Sequence, residues 1–271
     1  MDRGGGEGAV LSQRVRTVAE TGSTNADMIA LAASGLEEGV WLRADRQTGG
    51  RGRQGRAWVS PAGNLYASTL LRIRPSDPPA ATLALVAAVA LEEAVTAYLP
   101  ASYSRESGNP ESRGNPSTTL GSRLRGSIVQ IKWPNDLLID GAKVSGILLE
   151  RAGTAVIIGV GVNLAHYPAD TDRIATSLAA HGVAVDPADF IETLAEAFAR
   201  WVERWRCEGV DIVRRRWVAC AHPAGTPLTA RLPDGSAVDG LFEGLDAEGA
   251  LILRLADGTR RVIHAGDVFL L

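Results

Sequence analysis

The stretch Gln47-Thr-Gly-Gly-Arg-Gly-Arg-Gln-Gly-Arg56 stands between two runs of strand composition, at 40–44 and 65–73. Its glycines let the backbone approach a ligand closely, and its arginines carry planar guanidinium groups that pair with phosphate or carboxylate. The spacing matches neither a Walker A loop nor the dinucleotide-binding Gly-x-Gly-x-x-Gly. Flexible Arg/Gly segments that bind nucleic acid have a similar composition. Because strand-like runs enclose the stretch, we interpret it as an anion-binding loop inside a folded domain.

Helix and strand signals follow on both sides of this loop. Upstream, Ser23-Thr-Asn25 precedes an Ala-rich run that Gly35 closes, a pattern typical of a helix with a hydroxyl N-cap and a glycine stop. Downstream, Ser76-Asp-Pro-Pro-Ala80 opens a long apolar helix that Pro100 ends. Three strand-like segments are then predicted, at 128–131, 144–150 and 156–162.

The last third of the chain predicts one more helix and a small β domain. Asp186-Pro187 begins the helix, whose apolar side chains recur at spacings of three and four. We interpret this stripe as a core face; it consists of Phe190, Leu194, Ala197, Phe198, Trp201 and Trp205. After residue 222, short β segments alternate with Pro-Asp-Gly, Ala-Glu-Gly and Ala-Asp-Gly turns, which predicts a small β-barrel over 223–271.

Two segments lack the pattern of a packed core. Residues 1–14 are Gly-rich, and we expect a flexible N-terminus. At 101–127, seventeen of 27 residues are Gly, Ser, Asn, Pro or Thr, so no periodic apolar face exists. Four arginines against two glutamates would suit a partner-binding arm. A tolerated, disordered insertion is the favoured interpretation because closure entropy grows slowly with loop length.

The composition excludes several classes of protein. With 28 Lys+Arg against 31 Asp+Glu, the formal charge of −3 argues against a protein that coats duplex nucleic acid. Two cysteines are too few for a disulfide scaffold, and we expect Cys207 and Cys220 to be reduced and buried. The most apolar stretch, at 80–91, is shorter than the roughly 18–20 residues that span a bilayer, and the start lacks a signal-peptide core. The sequence therefore predicts a soluble cytoplasmic protein.

Two further segments could carry chemistry. The segment Ile131-Lys-Trp-Pro-Asn-Asp-Leu-Leu-Ile139 contains a Pro-Asn-Asp turn, and Asp140-Gly141 predicts a hairpin turn just before Lys143. A lysine at a strand end is usually a solvated charge, but it could also stabilise charge that develops at a phosphoryl centre. Alternating glycines in Gly159-Val-Gly-Val-Asn163 indicate either close helix packing or a ligand on the backbone. Dispersed histidines and the lack of Cys-x-x-Cys argue against a zinc site.

Together, these motifs resemble the biotin–protein ligases (biotin–[acetyl-CoA-carboxylase] ligases). The matching segments occur in the family's order, at 23–25, 47, 50–56, 132–136, 143–150 and 159–163. The similarity covers residues 15–271 except the insertion. It implies an α+β catalytic domain at 15–222, like that of the class II aminoacyl-tRNA synthetase and lipoyl-ligase superfamily, and an SH3-like β-barrel at 223–271.

The resemblance also implies a two-step reaction with ATP and Mg²⁺. The carboxylate of biotin would attack the α-phosphate of ATP, which releases pyrophosphate and leaves biotinyl-5′-AMP bound. A lysine of a biotin carboxyl carrier domain would then attack this mixed anhydride. The expected protein is a monomer or a homodimer. Only some 20 residues precede Ser23, too few for the DNA-binding domain of repressor members, so we expect neither DNA nor membrane binding.

Residue roles follow from the positions that match the family. Lys143, Arg51 and Arg53 are the expected catalytic residues, since positive charge must screen a carboxylate that meets a triphosphate. The residues expected to bind biotin are Ser23, Thr24, Asn25, Gln47, Gly50, Arg51, Gly52, Arg53, Lys143, Gly146, Gly159 and Gly161. The residues expected to bind ATP are Arg53, Arg56, Trp58, Lys132, Asn135, Asp136 and Asn163. Asp136 could help to hold Mg²⁺, but no metal ligands are assigned.

Two alternatives stay open at this point. A lipoate or other acyl-carrier ligase of the same superfamily would share the adenylation step, although its loop differs from Gly-Arg-Gly-Arg-Gln-Gly-Arg. A non-catalytic nucleotide- or RNA-binding module could also use an Arg/Gly loop. Such a module would need neither Lys143 nor the SH3-like tail.

Overall fold

A computed structural model describes residues 14–100, 129–169 and 174–270. The predicted insertion at 101–127, and the predicted N-terminal segment apart from Arg14, lie outside the described residues. The strand patterns of the first part of the chain form one central sheet. Its strands are β1 (Arg14–Thr21), β2 (Val40–Gln47), β3 (Leu65–Arg72), β4 (Val129–Lys132), β5 (Asp136–Ile139), β6 (Ala142–Ala152) and β7 (Ala155–Val162).

The sheet has the order β1-β2-β3-β7-β6-β5-β4, with β1 parallel to β2 and the other neighbouring pairs antiparallel. Side chains alternate between the two faces of a strand, and both faces are apolar here. On one face, Leu42, Leu70 and Ile157 pack against Met28 of α1 (Thr24–Ala33). This packing holds the first turn of α1 beside β3 and β7.

The opposite face carries three helices, α2 (Leu83–Tyr98), α3 (Pro187–Glu208) and α4 (Val210–Cys220). Helix α2 is apolar almost all round because it contacts both the sheet and the other two helices. In the described part of the chain, the helical segment Ala80–Tyr98 is long and apolar enough to cross a membrane, although the sequence analysis expected too short a stretch. The structure buries 67 % of that apolar window inside the protein, as in a core helix.

A second, five-stranded antiparallel sheet follows. Its strands are β8 (Pro227–Arg231), β9 (Ala237–Leu245), β10 (Leu251–Arg254), β11 (Arg260–Ile263) and β12 (Asp267–Leu270), in the order β11-β10-β9-β8-β12. The predicted turns are confirmed, because Gly235, Gly249 and Gly258 have φ angles of 84°, 86° and 82°. The indole N–H of Trp133 donates to the carbonyl of Gly249 at 3.1 Å, which links this sheet to the turn between β4 and β5 of the central sheet.

Several local predictions hold. Helix α3 begins at Pro187, and the Asp186 side chain accepts a hydrogen bond from the Ala188 amide at 2.8 Å. The whole predicted stripe of α3 is buried. Asp140 and Gly141 both have positive φ, at 51° and 81°, as a tight hairpin turn requires.

Other predictions need correction. Ser23 occupies the N-cap position of α1 but makes no side-chain cap bond; the Thr24 amide instead donates to Oε1 of Gln47 at 2.8 Å. Cys207 is exposed rather than buried, because it lies on the outer face of α3, whereas Cys220 is buried as expected. The sequence analysis also missed β1 and α4. The first is a polar edge strand, and edge strands lack the strong apolar alternation of buried ones.

Candidate active site

A cavity of about 1120 Å³ lies where α1, the loop after β2, the strands β6 and β7, and the C-terminal sheet meet. The predicted site residues, although dispersed over the sequence, come together around it. Those that line it are Ser23, Thr24, Asn25, Gln47, Arg51, Gly52, Arg53, Arg56, Trp58, Asn135, Asp136, Lys143, Gly146, Gly159, Gly161 and Asn163. Their spatial grouping fits one ligand site, while their individual roles stay predictions.

Two predicted site residues lie outside this lining. Gly50 stands behind the loop, where a Cβ would meet the Trp58 carbonyl at 2.6 Å and the Ser60 hydroxyl at 2.7 Å. Lys132 ends β4, and its ammonium lies 5.6 Å from the ring centroid of Phe269. Gly50 therefore shapes the loop by close packing, and Lys132 contacts the C-terminal sheet.

One side of the cavity is built on a hydrogen-bonded group of polar side chains, here called the polar floor: Thr24, Asn25 and Gln47 line the cavity, and Ser68 and Glu150 lie behind them. Oε1 of Gln47 accepts from both the amide and the hydroxyl of Thr24, at 2.8 and 3.2 Å. The Ser68 hydroxyl lies 2.7 Å from Oγ1 of Thr24 and 2.6 Å from Oδ1 of Asn25. Nδ2 of Asn25 donates to Glu150 at 2.7 Å. The floor is thus a continuous hydrogen-bond network on α1, β2, β3 and β6.

The network continues from the floor to the loop. Nε2 of Gln47 donates to the Ser60 hydroxyl at 3.2 Å, and that hydroxyl donates to the Trp58 carbonyl at 2.9 Å. Close by, burial raises the pKa of Tyr66 to about 12, although hydrogen bonds with Asn64 and Ser60 act in the opposite direction. The Tyr66 hydroxyl therefore stays protonated at neutral pH and donates to the Pro61 carbonyl at 2.8 Å.

The alternating glycines of β7 are explained by close approach of side chains. A Cβ on Gly159 would overlap the amide of Asn25, and a Cβ on Gly161 would lie 2.8 Å from the indole of Trp58. Gly146 of β6 lies beside the same indole, at 3.3 Å for a Cβ. These residues therefore leave the backbone of β6 and β7 bare at the cavity wall.

The other side of the cavity is the arginine loop, residues 50–58. It folds as a small hairpin, because the Gly52 amide donates to the Arg56 carbonyl at 2.8 Å and the Trp58 amide donates to the Gly50 carbonyl at 2.9 Å. Gln54 at its tip has a positive φ of 57°. The loop is therefore ordered by its own backbone, unlike a flexible Arg/Gly segment.

The C-terminal sheet contacts this loop through one carboxylate. Asp267 at the start of β12 forms an ion pair with Arg56 and another with Arg53 at 3.6 Å. Arg53 also donates to the Gly266 carbonyl at 3.3 Å and to Oδ1 of Asn135 at 3.4 Å. Arg53 thus bridges the two sheets at the cavity, where a phosphate could replace these oxygens as its partner.

Lys143 lies where the floor meets the loop. Its ammonium is 2.5 Å from Oδ1 of Asp136 and 5.4 Å from the ring centroid of Trp58. Among the described residues, the buried indole N–H of Trp58 has no hydrogen-bond partner, so it can serve a ligand. Lys143 therefore directs a positive charge into the cavity between an acid and an aromatic ring.

The two predicted asparagines are held firmly. Nδ2 of Asn135 donates to the Ile147 carbonyl at 2.6 Å, and Nδ2 of Asn163 donates to the Thr176 carbonyl at 3.0 Å. These hydrogen bonds fix the orientation of both side-chain amides, so that Oδ1 of each asparagine faces a defined direction.

The sequence analysis missed the part of the cavity that the C-terminal domain supplies. These residues are Arg231, Leu232, Pro233, Gly235, Asp267 and Phe269. Each stands in an ordinary short β segment or turn, and no local pattern distinguishes it from a surface residue. No sequence pattern pointed to Ser68 either. Glu150 is the last residue of the matching segment 143–150, but no role was predicted for it.

An arginine loop and a polar floor thus share one cavity, which a small β domain completes. The chain belongs to the family described as "Biotin/lipoate A/B protein ligase family", which it matches over residues 21–163. Residues 225–271 match "Biotin protein ligase C terminal domain".

Curated relatives extend this similarity over nearly the whole chain. A biotin–[acetyl-CoA-carboxylase] ligase of Paracoccus denitrificans is 39 % identical, covering 93 % of this chain and 98 % of the relative. One of Mycobacterium tuberculosis is 36 % identical, covering 94 % and 88 %.

A solved structure shows the same fold. A biotin protein ligase from Aquifex aeolicus in complex with biotin and ATP has a TM-score of 0.76 at 23 % identity, covering 96 % of this chain and 99 % of that chain. One from Leishmania major in complex with biotinyl-5-AMP has a TM-score of 0.61 at 26 % identity, covering 93 % and 99 %.

Proposed function

We propose that this protein activates biotin with ATP as biotinyl-5′-AMP and transfers the biotinyl group to a lysine of a biotin carboxyl carrier domain. The observation that carries the proposal is the cavity, which joins a polar floor to a group of cations at Lys143 and the arginine loop. The relatives named as biotin–[acetyl-CoA-carboxylase] ligases support the choice of substrate.

The first step brings two anions together. A carboxylate oxygen of biotin attacks the α-phosphorus of ATP, and the bond from that phosphorus to the pyrophosphate oxygen breaks. Lys143 and Arg51 can neutralise the attacking and equatorial oxygens, while Arg53 can pair with the phosphate in a bidentate manner. Trp58, whose indole lies against Gly161, offers a flat apolar face to the bound adenylate.

The second step transfers the acyl group. The neutral amine of the carrier lysine attacks the acyl carbon of biotinyl-5′-AMP, the bond from that carbon to the phosphate oxygen breaks, and AMP leaves. The arginine loop, which is the exposed edge of the cavity, would hold the intermediate until the carrier arrives.

Magnesium fits the site as a companion of ATP. The described ranges contain no group of three or more His, Cys, Asp or Glu side chains that could hold a metal ion alone. Mg²⁺ usually binds through substrate phosphates and one or two carboxylates. Asp136, which lines the cavity beside Lys143, is the carboxylate that we propose for this contact.

Lipoate is the second candidate, since the family description names it. A polar floor with several hydrogen-bonding groups suits a ureido ring better than an apolar dithiolane ring. Pyrophosphate release should therefore be measured side by side with biotin, lipoate and octanoate. Release with biotin alone, followed by labelling of one carrier lysine, is the expected result; release with lipoate alone would contradict it.

Three finer properties stay predictions. They are the carrier domain as the acceptor, a monomeric or homodimeric state, and a cytoplasmic location. Mass photometry with and without biotin and ATP would test the second.

A further inference from the structure

Two polar residues lie behind the cavity wall, outside the set that lines it: Ser68 on β3 and Glu150 on β6. Ser68 is completely buried, yet its hydroxyl lies within hydrogen-bond distance of two lining side chains, Thr24 and Asn25. Glu150 accepts from the amide of Asn25 at 2.7 Å. These two residues therefore contact the lining part of the floor from behind.

Glu150 determines which way the amide of Asn25 points. An ionised carboxylate can only accept hydrogen bonds, so the amide nitrogen must face Glu150 and Oδ1 must face Ser68. The other side of that amide packs directly on the bare backbone of Gly159. If the Asn25 amide flipped, it would lose the hydrogen bond from Ser68. Its Oδ1 would then face the carboxylate of Glu150, and two acceptors would lie against each other.

Gln47 and Ser60 determine the direction of the remaining bonds. Because Nε2 of Gln47 donates to Ser60, its Oε1 faces Thr24 and accepts from the Thr24 amide at 2.8 Å. Ser68 has one hydroxyl hydrogen, which faces Oδ1 of Asn25 at 2.6 Å, so the Thr24 hydroxyl donates either to Oε1 of Gln47 at 3.2 Å or to Oγ of Ser68 at 2.7 Å. In both arrangements the hydrogen of Thr24 is committed inside the floor, and its oxygen is an acceptor. The floor is left with one amide hydrogen of Asn25 as a donor and the oxygens of Thr24 and Gln47 as acceptors.

We propose that Ser68 and Glu150 are positioning residues that fix this donor and acceptor pattern and thereby select an acid with a urea ring. A urea ring has two N–H donors and one carbonyl acceptor, whereas a dithiolane or a plain acyl chain has neither. The inference rests on the proposed function, since it takes the floor as the place where the ring binds. It adds a selection step made by residues that do not contact the ligand.

Two substitutions test the pattern. Ser68→Ala removes the hydroxyl that donates to Oδ1 of Asn25 and contacts Oγ1 of Thr24. Glu150→Gln keeps the size of the side chain but can present either its carbonyl oxygen or its amide nitrogen to Asn25. The orientation of the Asn25 amide is then no longer forced. Each should raise KM for biotin about tenfold, the effect of a lost buried hydrogen bond, and leave KM for ATP and kcat within about twofold of wild type.

Thr69→Val is the matched control. Thr69 is the next residue of β3, is equally buried, and donates one hydrogen bond, to the Val40 carbonyl at 2.8 Å. Its side chain points to the opposite face of the strand. The control should lose stability to a similar extent as Ser68→Ala, measured as the shift in Tm, without any rise in KM for biotin.

A double variant separates positioning from mere packing. Asn25→Asp with Glu150→Gln restores a hydrogen bond between the two positions but removes the donor that faces the ligand. Recovery of Tm without recovery of KM for biotin is expected. Recovery of both would overturn the inference, as would a wild-type KM for biotin in both single variants or an equal rise in Thr69→Val. If wild type released pyrophosphate with lipoate and not with biotin, the proposed function itself would fail, and this inference with it.

Discussion

The polar floor and the arginine loop face each other across one cavity but are built by different physical means. The floor consists of buried and half-buried side chains on helix and strands, joined by hydrogen bonds of 2.6–3.2 Å. The loop is exposed at Arg51, Gln54 and Arg56 and is joined to the C-terminal sheet by ion pairs of Asp267. Hydrogen bonds between shielded side chains depend little on salt, whereas partly exposed ion pairs are screened.

This difference matches the two tasks of an adenylating ligase. Selection of a neutral ring needs dipoles that cannot rearrange, since a movable donor would accept a wrong acid. Retention of a charged intermediate needs cations that can release it when a carrier arrives. In the proposed function, the floor would supply fixed geometry for the ring, and the loop would supply the charge that contacts the phosphate.

Lys143 lies on the border between the two regions, and its removal should have the largest effect. Lys143→Ala should slow formation of biotinyl-5′-AMP by roughly 10²–10³, the effect typical of one preorganised charge at a reacting oxygen. A single-turnover quench with biotin and labelled ATP measures this rate. The sequence holds one other lysine, Lys132, and Lys132→Ala should cost far less because that ammonium lies over Phe269. A near-normal rate in Lys143→Ala would contradict the assigned role.

Two glycine substitutions compare the rigidity of the two regions directly. Gly159→Ala should lower the free energy of unfolding by about 1–3 kcal/mol, because the new methyl overlaps an Asn25 amide that Ser68 and Glu150 hold in place. Gly161→Ala meets only the indole of Trp58, which the loop can carry outward. It should cost less than half as much. Urea unfolding of both variants gives the comparison, and equal losses would show that the loop is as rigid as the floor.

Loss of Arg53 should make the intermediate escape. A charged hydrogen bond is worth about 1.5–3 kcal/mol, so Arg53→Gly should release biotinyl-5′-AMP roughly one to two decades faster. The released mixed anhydride then labels lysines of serum albumin, which a biotin blot detects in the absence of carrier. The chain itself offers only Lys132 and Lys143 for labelling, so the albumin signal should dominate.

Gln54→Gly is the matched comparison for this experiment. It adds a glycine to the same loop and removes the hydrogen bond from Arg56 to the Gln54 side chain, but keeps the guanidinium of Arg53. Equal labelling by both variants would assign the effect to loop flexibility, and negligible labelling by Arg53→Gly, with adenylation confirmed, would mean that Arg53 does not retain the intermediate.

The smallest effect is expected at the ion pairs between the loop and β12. Asp267→Asn removes the carboxylate that contacts Arg53 and Arg56. Partly exposed pairs of this kind contribute about 0.2–1 kcal/mol, so tryptic cleavage after Arg53 or Arg56 should become up to about fivefold faster without ligand. Fragment masses over time give the rate. Asp239 is an exposed carboxylate that accepts a hydrogen bond from Thr229, and Asp239→Asn should leave the cleavage rate unchanged. Faster cleavage in this variant would show that the contact of Asp267 with the loop is not the cause.

Local patterns in the sequence predicted features that depend on near neighbours. The apolar stripe of α3, the turn at Asp140-Gly141 and the glycines of the C-terminal turns all follow from periodicity or from backbone preference. The arginine loop and the bare glycines of β7 were also visible, because their composition is unusual for a strand or a helix. By contrast, the polar edge strand β1 gave little signal, and the exposure of Cys207 depends on which face of α3 meets the core.

The sequence by itself thus determined the family, most of the helices and strands, and those cavity residues that belong to its motifs, since these are written in adjacent residues. Only the tertiary structure decided which groups act on those residues from a distance. Gln47 replaces the expected cap of α1, Ser68 and Glu150 hold Asn25, and Asp267 joins the arginine loop. The physical reason is that a hydrogen bond or an ion pair depends on separation in space, and these partners stand 23 to more than 200 positions apart in the chain.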